Sequence, residues 1–266
     1  MTYCLAIKID DGLVFASDSR TSASVDDVRT YGKMHVFEYP GDRFFTLLSA
    51  GNLATTQSVL EHVSRDAQVG AATSLRSVSS MYDAAEYVGS LNARAQRRIS
   101  EDRGEHLDGL GATFILGGQI AGQEPSIYLV YNLGNCITTS PETNFMQIGE
   151  SKYGKPILDR VVAPHISMED AARCALISLD ATIRSNISVG PPLELLTYKR
   201  DSLQTGKRMR LEADDPFFRD LRDSWNAALT EALNEMPRFP WEEQQISQPN
   251  LQQAATQMGG EHAPNR

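Results

Sequence analysis

Apolar and polar positions form short runs over the first part of the chain, and turn signals separate these runs. Strand-like runs rich in β-branched and aromatic residues lie at 3–9, 13–17, 33–39 and 44–49. The turn signals Asp10-Asp11-Gly12 and Pro40-Gly41-Asp42 join two pairs of them, as is typical of hairpins. The polar stretch 18–32 predicts a loop. The pattern therefore predicts an antiparallel sheet at the start of the chain.

Helical periodicity follows, with apolar residues recurring at three- and four-residue spacing. One such stripe begins near Gly51, a second near Met81 and a third after Ser167, where Ser167 to Asp170 fits a capping box. A last helix carries Phe218 and Trp225 on one face. Further strand-like runs lie at 111–116, 127–131, 144–148, 193–198 and 207–211.

This order of elements predicts an α+β fold, because an alternating parallel fold would interleave strands and helices singly. We expect two stacked antiparallel sheets flanked by helices. Beyond Met236 the composition changes to Pro and Gln, which predicts a globular domain over 1–236 and an extended or disordered tail over 237–266. Trp241 and Ile246 are candidate anchors of this tail on a neighbouring subunit.

The composition excludes several classes of function. The 266 residues carry a net charge of -9, so we expect no nucleic-acid partner and no anionic membrane partner. No apolar run reaches the ~20 residues of a membrane span, and we expect no signal peptide before Thr2. The three cysteines lack a CxxC motif, which predicts reduced thiols in the cytoplasm. The histidines form no metal-ligand pair, and His35 is expected to be a half-buried sheet residue.

Thr2 directly precedes the first strand-like run, which raises the question of chemistry at the chain terminus. A small second residue permits removal of the initiator methionine, after which Thr2 would carry both a hydroxyl and a free α-amine. An α-amine has a pKa of about 7.7–8, so near neutral pH it can take the hydroxyl proton through a water molecule. This pairing is the threonine form of nucleophilic catalysis. The alternative is that Thr2 is simply a small second residue.

A threonine nucleophile needs a nearby positive charge and a donor for the oxyanion, and the sequence offers candidates for both in Asp18, Lys33 and Gly51. Asp18 ends the second strand, and the preceding hairpin returns that end to the start of the first strand. Lys33 opens the third strand, so an Asp18–Lys33 pair beneath Thr2 would keep the lysine charged and lower the pKa of the hydroxyl. Gly51 stands at a strand-to-helix junction, where a backbone N–H can face an oxyanion. The alternatives are a surface ion pair and a glycine that serves only the turn.

The segments TYCLAIKIDDGLVFASDSRT, GKMHVF and LLSAGN resemble the opening of proteasome β-type subunits, which are N-terminal-nucleophile hydrolases. The segments SDSRTSASVDDVRTYGKMHVFEYPGDRFF and SNISVGPPLELLTYKRDSL are closer in character to the bacterial branch called Anbu, the ancestral-β-subunit-like proteasome homologue. The resemblance covers about residues 2–235. It implies a four-layer αββα sandwich, a homo-oligomer in the form of a ring or an open spiral, and no metal or organic cofactor.

The resemblance also implies roles for individual residues. Thr2 matches the nucleophile, Lys33 the catalytic lysine and Gly51 the glycine of the oxyanion hole. Asp18 and Arg20 match the acid at the strand end and its neighbour, although the loop from Asp18 to Lys33 is one residue shorter than usual in the family. The positions that match substrate contacts are Thr21 and Ser49.

The later part of the chain departs from the family pattern. The resemblance implies a serine whose hydroxyl supports the threonine amine, and either Glu150 or Ser151 occupies that position here, of which we prefer Ser151. Ser188 lies near the position of a second supporting serine, but Ser185 occupies the position of an aspartate. The missing carboxylate puts the activity on ordinary peptides in question.

Three functional hypotheses follow. The first is a cytoplasmic, self-assembling threonine peptidase that hydrolyses peptide or protein substrates. The second is an amidase of the same superfamily that acts on a small amide or an unusual peptide linkage. The third is a non-catalytic assembly subunit, against which the retained Thr2, Asp18 and Lys33 argue. The sequence leaves open the natural substrate, the number of subunits and the need for an ATP-driven unfoldase.

Overall fold

A computed structural model describes residues 1–24, 27–103 and 109–242. The chain divides into two compact units, the first from Met1 to Arg222 and the second beginning at Asp223. In the second unit the Trp241 ring is exposed and stacks on Phe239 with ring centroids 4.3 Å apart. Ile246 and the rest of 243–266 lie outside the described residues, so the domain boundary at 236/237 stays a prediction.

Two five-stranded antiparallel sheets form the centre of the first unit. The strands are β1 (Tyr3–Ile9), β2 (Gly12–Asp18), β3 (Arg20–Ser24), β4 (Asp27–Thr30), β5 (Met34–Tyr39), β6 (Arg43–Gly51), β7 (Ala112–Ile120), β8 (Ser126–Val130), β9 (Cys136–Thr138), β10 (Phe145–Gly149), β11 (Leu193–Lys199) and β12 (Arg208–Leu211). The first sheet has the order β10-β1-β2-β11-β12 and the second the order β5-β6-β7-β8-β9. Strands β3 and β4 form a separate two-stranded ribbon.

Helices α1 (Leu53–Gln68) and α2 (Met81–Arg103) cover the outer face of the second sheet, and α3 (Ser151–Val161) and α4 (Met168–Ser185) cover that of the first. Helix α5 (Pro216–Asn234) begins in the first unit, where Phe218 is buried, and continues into the second. Helix α4 begins where the sequence predicts, because the Ser167 side chain accepts a hydrogen bond from the Asp170 N–H at 3.0 Å and so satisfies a free donor of the first turn. Asn52 caps α1 in the same way, through the N–H of Thr55.

Alternation along the strands builds three apolar layers. In β1, Leu5 and Ile7 pack in the layer that includes residues of α3 and α4, whereas Cys4 and Ala6 face the layer between the two sheets. A third layer joins the second sheet to α1 and α2. Successive side chains of a strand point to opposite faces, so a strand covered on both faces reads as one continuous apolar run. The predicted four-layer αββα sandwich is confirmed.

The structure corrects the prediction of a loop over 18–32, because this segment contains β3 and β4. Arg20 pairs with Thr30, and Thr21 pairs with Arg29, in an antiparallel register. The segment is polar, so it lacks the apolar alternation that reveals a half-buried strand. Its β-branched threonines nonetheless favour extended backbone.

Two further elements, β9 and α3, were not predicted. Strand β9 is only three residues long, which is too short for a periodic signal. Helix α3 contains Gly154 and Pro156, and both residue types are unfavourable inside helices. Gly154 is required by packing, because a Cβ there would collide with the Ser178 side chain of α4 and with the Tyr3 hydroxyl.

Candidate active site

The peptide unit that follows Thr2 is held by hydrogen bonds at both its carbonyl and its N–H. The Thr2 carbonyl oxygen accepts from the N–H of Glu150 at 2.8 Å. Gly149 lies against the same carbonyl with a φ of +83°, and a Cβ on this glycine would collide with the oxygen. The following residue, Tyr3, donates its backbone N–H to Asp18 Oδ1 at 3.0 Å. Thr2 therefore has a defined position at the end of the first sheet.

Asp18 and Lys33 form a buried ion pair beside Thr2. Lys33 Nζ lies 2.6 Å from Asp18 Oδ1, and the side chains are 7% and 0% exposed respectively. The ammonium also donates to the carbonyl of Arg20 at 2.7 Å and to that of Met1 at 3.5 Å. The other carboxylate oxygen, Asp18 Oδ2, accepts from the N–H of Gly190 at 3.3 Å. The predicted contact between Asp18 and Lys33 is present, and it is a buried pair and not a surface one.

The pKa of Asp18 depends on its burial and on the groups that donate hydrogen bonds to its carboxylate. Burial raises the pKa of the Asp18 carboxyl, while the Lys33 ammonium and the backbone N–H groups of Tyr3 and Gly190 oppose that increase. Charge-assisted bonds of this kind stabilise the ionised form of a carboxylate. Asp18 therefore holds a positive charge in place at the carbonyl of Met1, next to Thr2.

Arg20 ties the segment 186–190 to the same corner. Its Nη1 donates to the carbonyl of Ile187 at 2.7 Å. Its guanidinium covers Gly190, where a Cβ would lie 2.6 Å from Arg20 Cζ. Ser188 donates both its backbone N–H, at 3.0 Å, and its hydroxyl, at 2.6 Å, to Asn186 Oδ1. Ser188 thus lies in the segment that supplies the Gly190 N–H to Asp18, and Arg20 contacts that segment from β3.

A pocket opens beside Thr2. It is lined by several of the predicted site residues and by side chains that the sequence did not indicate: Thr2, Thr21, Lys33, Ser49 and Gly51, together with Tyr31, His35, Leu53, Thr56, Gln57 and Leu60. Gly51 ends β6 with a φ of +107°, and a Cβ there would collide with the carbonyl of Gly111. A glycine is therefore required at this position by backbone conformation and by packing.

Comparison with known proteins places this geometry in a family. The family model described as proteasome subunit matches residues 2–197. The chain belongs to the proteasome family. A solved structure of the helical assembly of the Anbu complex from Pseudomonas aeruginosa is 46% identical, with a TM-score of 0.85, and the match covers 90% of this chain and 98% of that one.

Two more Anbu structures match over similar lengths. Anbu from Yersinia bercovieri is 42% identical with a TM-score of 0.84, and the Gly-1 mutant of Anbu from Hyphomicrobium sp. strain MC1 is 41% identical with a TM-score of 0.83. Each match covers 90% of this chain and 99% of the other chain. The resemblance to the Anbu branch is therefore confirmed. A search of curated proteins found no match.

In this member of the proteasome family, Ser151 lies at the start of α3. It is the first residue of that helix, and its carbonyl accepts from Gln147 Nε2 at 3.3 Å. Glu150, the N-cap residue, contributes its backbone N–H to Thr2. The assignment of Ser151 over Glu150 as the hydroxyl that supports the threonine amine stays a prediction.

Some contacts that hold the elements around the site carried no sequence signal. The Tyr3 hydroxyl bonds to Ser178 at 2.7 Å and also to Gln147, and burial raises the pKa of Tyr3 to about 12. Asn186, next to Ser185, accepts both hydrogen bonds from Ser188. No local pattern separates these residues from ordinary core or turn residues, because their partners are more than a hundred positions away or lie within a single turn.

The described residues also bear on metal binding and on membrane insertion. Within 1–24, 27–103 and 109–242, no cluster of three or more His, Cys, Asp or Glu side chains is arranged to hold a metal ion. In the same part of the chain, no helix is both long and apolar enough to span a bilayer. Cys4, Cys136 and Cys174 are free.

Proposed function

We propose that the chain is a threonine-type peptidase with Thr2 as its nucleophile after removal of Met1. The observation that carries the proposal is the buried Asp18–Lys33 pair, whose ammonium lines the same pocket as Thr2. A cation at this place stabilises a developing alkoxide and favours the neutral form of a nearby amine. The membership of the proteasome family supports the same assignment.

The reaction proceeds in two halves. Thr2 Oγ attacks the carbonyl carbon of the substrate, and its proton passes through a water molecule to the α-amine and then to the departing amine. The oxyanion of the tetrahedral intermediate accepts a hydrogen bond from the N–H of Gly51. Water then cleaves the resulting ester and restores the Thr2 hydroxyl. Thr21 and Ser49 hold the substrate, and Arg20, Ser151 and Ser188 position the groups around the nucleophile.

The substrate and the assembly belong to the same proposal. The substrates are peptides or proteins, and the enzyme works in the cytoplasm. The Anbu complex of Pseudomonas aeruginosa forms a helical assembly, which supports self-association of this chain. In a closed or spiral oligomer the pocket beside Thr2 would face an enclosed space, so only unfolded chains would reach it.

A non-catalytic assembly role is the second candidate, and it would require that Met1 is retained. Lys33 Nζ donates to the Met1 carbonyl, and Asn186 Nδ2 lies 3.7 Å from Met1 Sδ. If Met1 were retained, the amine of Thr2 would be part of a peptide bond and would be unable to accept the proton. The state of Met1 therefore distinguishes the two candidates.

The deciding experiment combines intact mass with covalent trapping. A peptide epoxyketone requires both a hydroxyl and a free α-amine on one residue, so an adduct on Thr2 of the Met1-free chain supports the peptidase. We expect Thr2→Ala to abolish hydrolysis and labelling while the assembly remains, and Thr2→Ser to retain part of both. Peptide hydrolysis by Thr2→Ala equal to that of the parent would contradict the proposal.

A further inference from the structure

The Tyr3 side chain follows the nucleophile directly and takes no part in the reaction above. It is fully buried in the layer between the first sheet and helices α3 and α4. Burial raises the pKa of Tyr3 to about 12, so its hydroxyl stays protonated at neutral pH. This hydroxyl bonds to Ser178 Oγ of α4 at 2.7 Å and accepts from Gln147 Nε2 of β10. A buried hydroxyl next to Thr2 therefore joins two further elements.

The direction of these hydrogen bonds follows from what each group can donate or accept. Ser178 Oγ lies 3.1 Å from the carbonyl of Gly154, and a carbonyl only accepts, so the Ser178 hydroxyl donates to Gly154. Ser178 Oγ then accepts from the Tyr3 hydroxyl, and the Tyr3 oxygen accepts from the amide of Gln147. Each of the two hydroxyls thus both donates and accepts, and such satisfied buried chains hold their members rigidly.

This Tyr3 network, formed by the side chains of Tyr3, Gln147 and Ser178, ends on the first turn of α3. Gln147 Nε2 also donates to the carbonyl of Ser151 at 3.3 Å, and Gly154 of the same turn accepts from Ser178. Glu150, the N-cap residue of α3, makes no side-chain capping bond, so the turn lacks the usual local support of a helix start. The Tyr3 network supplies support from β1, β10 and α4 instead.

The first turn of α3 begins at the residues that contact the nucleophile. The Glu150 N–H donates to the Thr2 carbonyl at 2.8 Å, and Ser151 is the residue predicted to support the Thr2 amine. A shift of this turn would move both groups relative to Thr2. A misplacement of about 1 Å can lower the rate of an enzymatic step about a hundredfold.

We propose that Tyr3 is a positioning residue for Thr2. Its hydroxyl, acting through Gln147 and Ser178, fixes the first turn of α3 against the nucleophile, and it touches neither the substrate nor the reacting atoms. This inference rests on the proposed function, because Thr2 is a nucleophile only there. Loss of the hydroxyl should therefore slow the chemical step and leave substrate binding unchanged.

Tyr3→Phe keeps the buried ring and removes only the hydroxyl. We expect kcat for a peptide substrate to fall about tenfold, as for the loss of one or two neutral hydrogen bonds, while KM stays within about twofold of the parent. Gln147→Met should lower kcat to a similar degree. The double variant Tyr3→Phe/Gln147→Met should be no slower than the worse single variant, because both side chains act through one network. Multiplied losses in the double variant would contradict a shared role.

Tyr198→Phe is the matched control. Tyr198 is equally buried, and its hydroxyl donates to Gln119 Oε1 at 2.5 Å and accepts from the N–H of Leu203 at 3.3 Å. It lies opposite Leu13 in the first sheet, near the turn between β1 and β2 and at the other end of β1 from Thr2. This variant should lose similar stability and keep the parent kcat. An equal fall of kcat in both tyrosine variants would overturn the proposal, since general destabilisation would then explain it.

Hydrogen exchange separates this inference from the proposed function. Exchange of the backbone amides over residues 145–155, which include the Glu150 N–H, is followed by mass spectrometry on the full-length chain. We expect exchange about tenfold faster than in the parent for Tyr3→Phe and unchanged for Tyr198→Phe. Gln147 is partly exposed, so Gln147→Met carries the same test if Tyr3→Phe does not fold.

Faster exchange in a chain that hydrolyses no peptide would support the positioning role, and only the peptidase proposal would then fail. Exchange equal to that of the parent in Tyr3→Phe would overturn the role of Tyr3. In an active enzyme, a kcat equal to that of the parent would overturn it as well.

Discussion

Lys33 Nζ lies 2.6 Å from Asp18 Oδ1, and this contact joins the end of β2 in the first sheet to the residue before β5 in the second. Neither side chain has meaningful access to water, so the pair serves as an electrostatic bond between the sheets as well as a support for Thr2. Breaking such a pair leaves a charge that is buried and unpaired, which costs more than the pair itself contributes.

We predict that Lys33→Met removes activity and also lowers the free energy of unfolding by about 3–5 kcal/mol at pH 7. The reason is that the Asp18 carboxylate would keep only the N–H groups of Tyr3 and Gly190 as donors. Urea denaturation of the parent and the variant measures the difference. The double variant Asp18→Asn/Lys33→Met should recover part of the stability without recovering activity, and a double variant less stable than Lys33→Met would contradict the argument.

The stability deficit of Lys33→Met should depend on pH. Without the ammonium, the folded-state pKa of Asp18 rises further above its unfolded value, because burial is then opposed by fewer donors. A carboxyl group whose folded-state pKa is raised contributes stability below its unfolded pKa, and this stability is lost as pH rises through the folded pKa. The deficit relative to the parent should therefore be small near pH ~4 and grow toward neutral pH. A deficit that stays constant over that range would argue against Asp18 as its source.

Gly149→Ala should displace Thr2, whereas Gly41→Ala should be mild. Both glycines have a positive φ, +83° and +75°, but a Cβ at Gly149 meets the Thr2 carbonyl while a Cβ at Gly41 meets nothing within 4 Å. We expect Gly41→Ala to cost about 1 kcal/mol from backbone strain alone and Gly149→Ala to cost about 3 kcal/mol or more, with loss of activity. Thermal unfolding measures both variants. Similar losses of stability would show that the collision with the Thr2 carbonyl adds nothing to the cost of the Gly149→Ala substitution.

Asn186 should matter for activity through Ser188. Its Oδ1 accepts both the N–H and the hydroxyl of Ser188, in the segment that brings Gly190 to Asp18. We predict that Asn186→Ala lowers kcat/KM about tenfold, as expected for the loss of one or two hydrogen bonds, with little change in Tm. Asn186→Asp keeps the acceptor oxygen and should stay within a few-fold of the parent. Equal kcat/KM values for the two variants would remove Asn186 from the supporting groups.

The second unit should contribute to self-association. It exposes a set of large apolar side chains, namely Leu229, Leu233, Met236, Phe239 and Trp241. We predict that the full-length chain sediments well above the mass of a dimer and that removal of residues 237–266 weakens the assembly more than it lowers the Tm of the sandwich. A monomeric full-length chain would contradict the assembly, and unchanged sedimentation after truncation would exclude a role for the tail.

The strands and helices that bury regular apolar patterns were predictable from the sequence. The runs at β1, β2, β5 and β6 and the capping box before α4 were readable because period-two alternation and an N-cap are local properties of the chain. The resemblance to proteasome β subunits, carried by the segment from Thr2 onward, also indicated Thr2, Asp18, Lys33 and Gly51 as site residues. Local patterns did not predict elements that are polar or that contain helix-breaking residues, as in the β3–β4 ribbon and in α3.

The contacts around Thr2 depend on how distant parts of the chain pack together. The N–H of Gly190 reaches Asp18 from a position 172 residues away, and the Tyr3 hydroxyl meets Ser178 from 175 residues away, so no spacing rule connects them. The burial of the Asp18–Lys33 pair, which decides whether it is a weak surface contact or a strong internal one, depends on the stacking of two sheets.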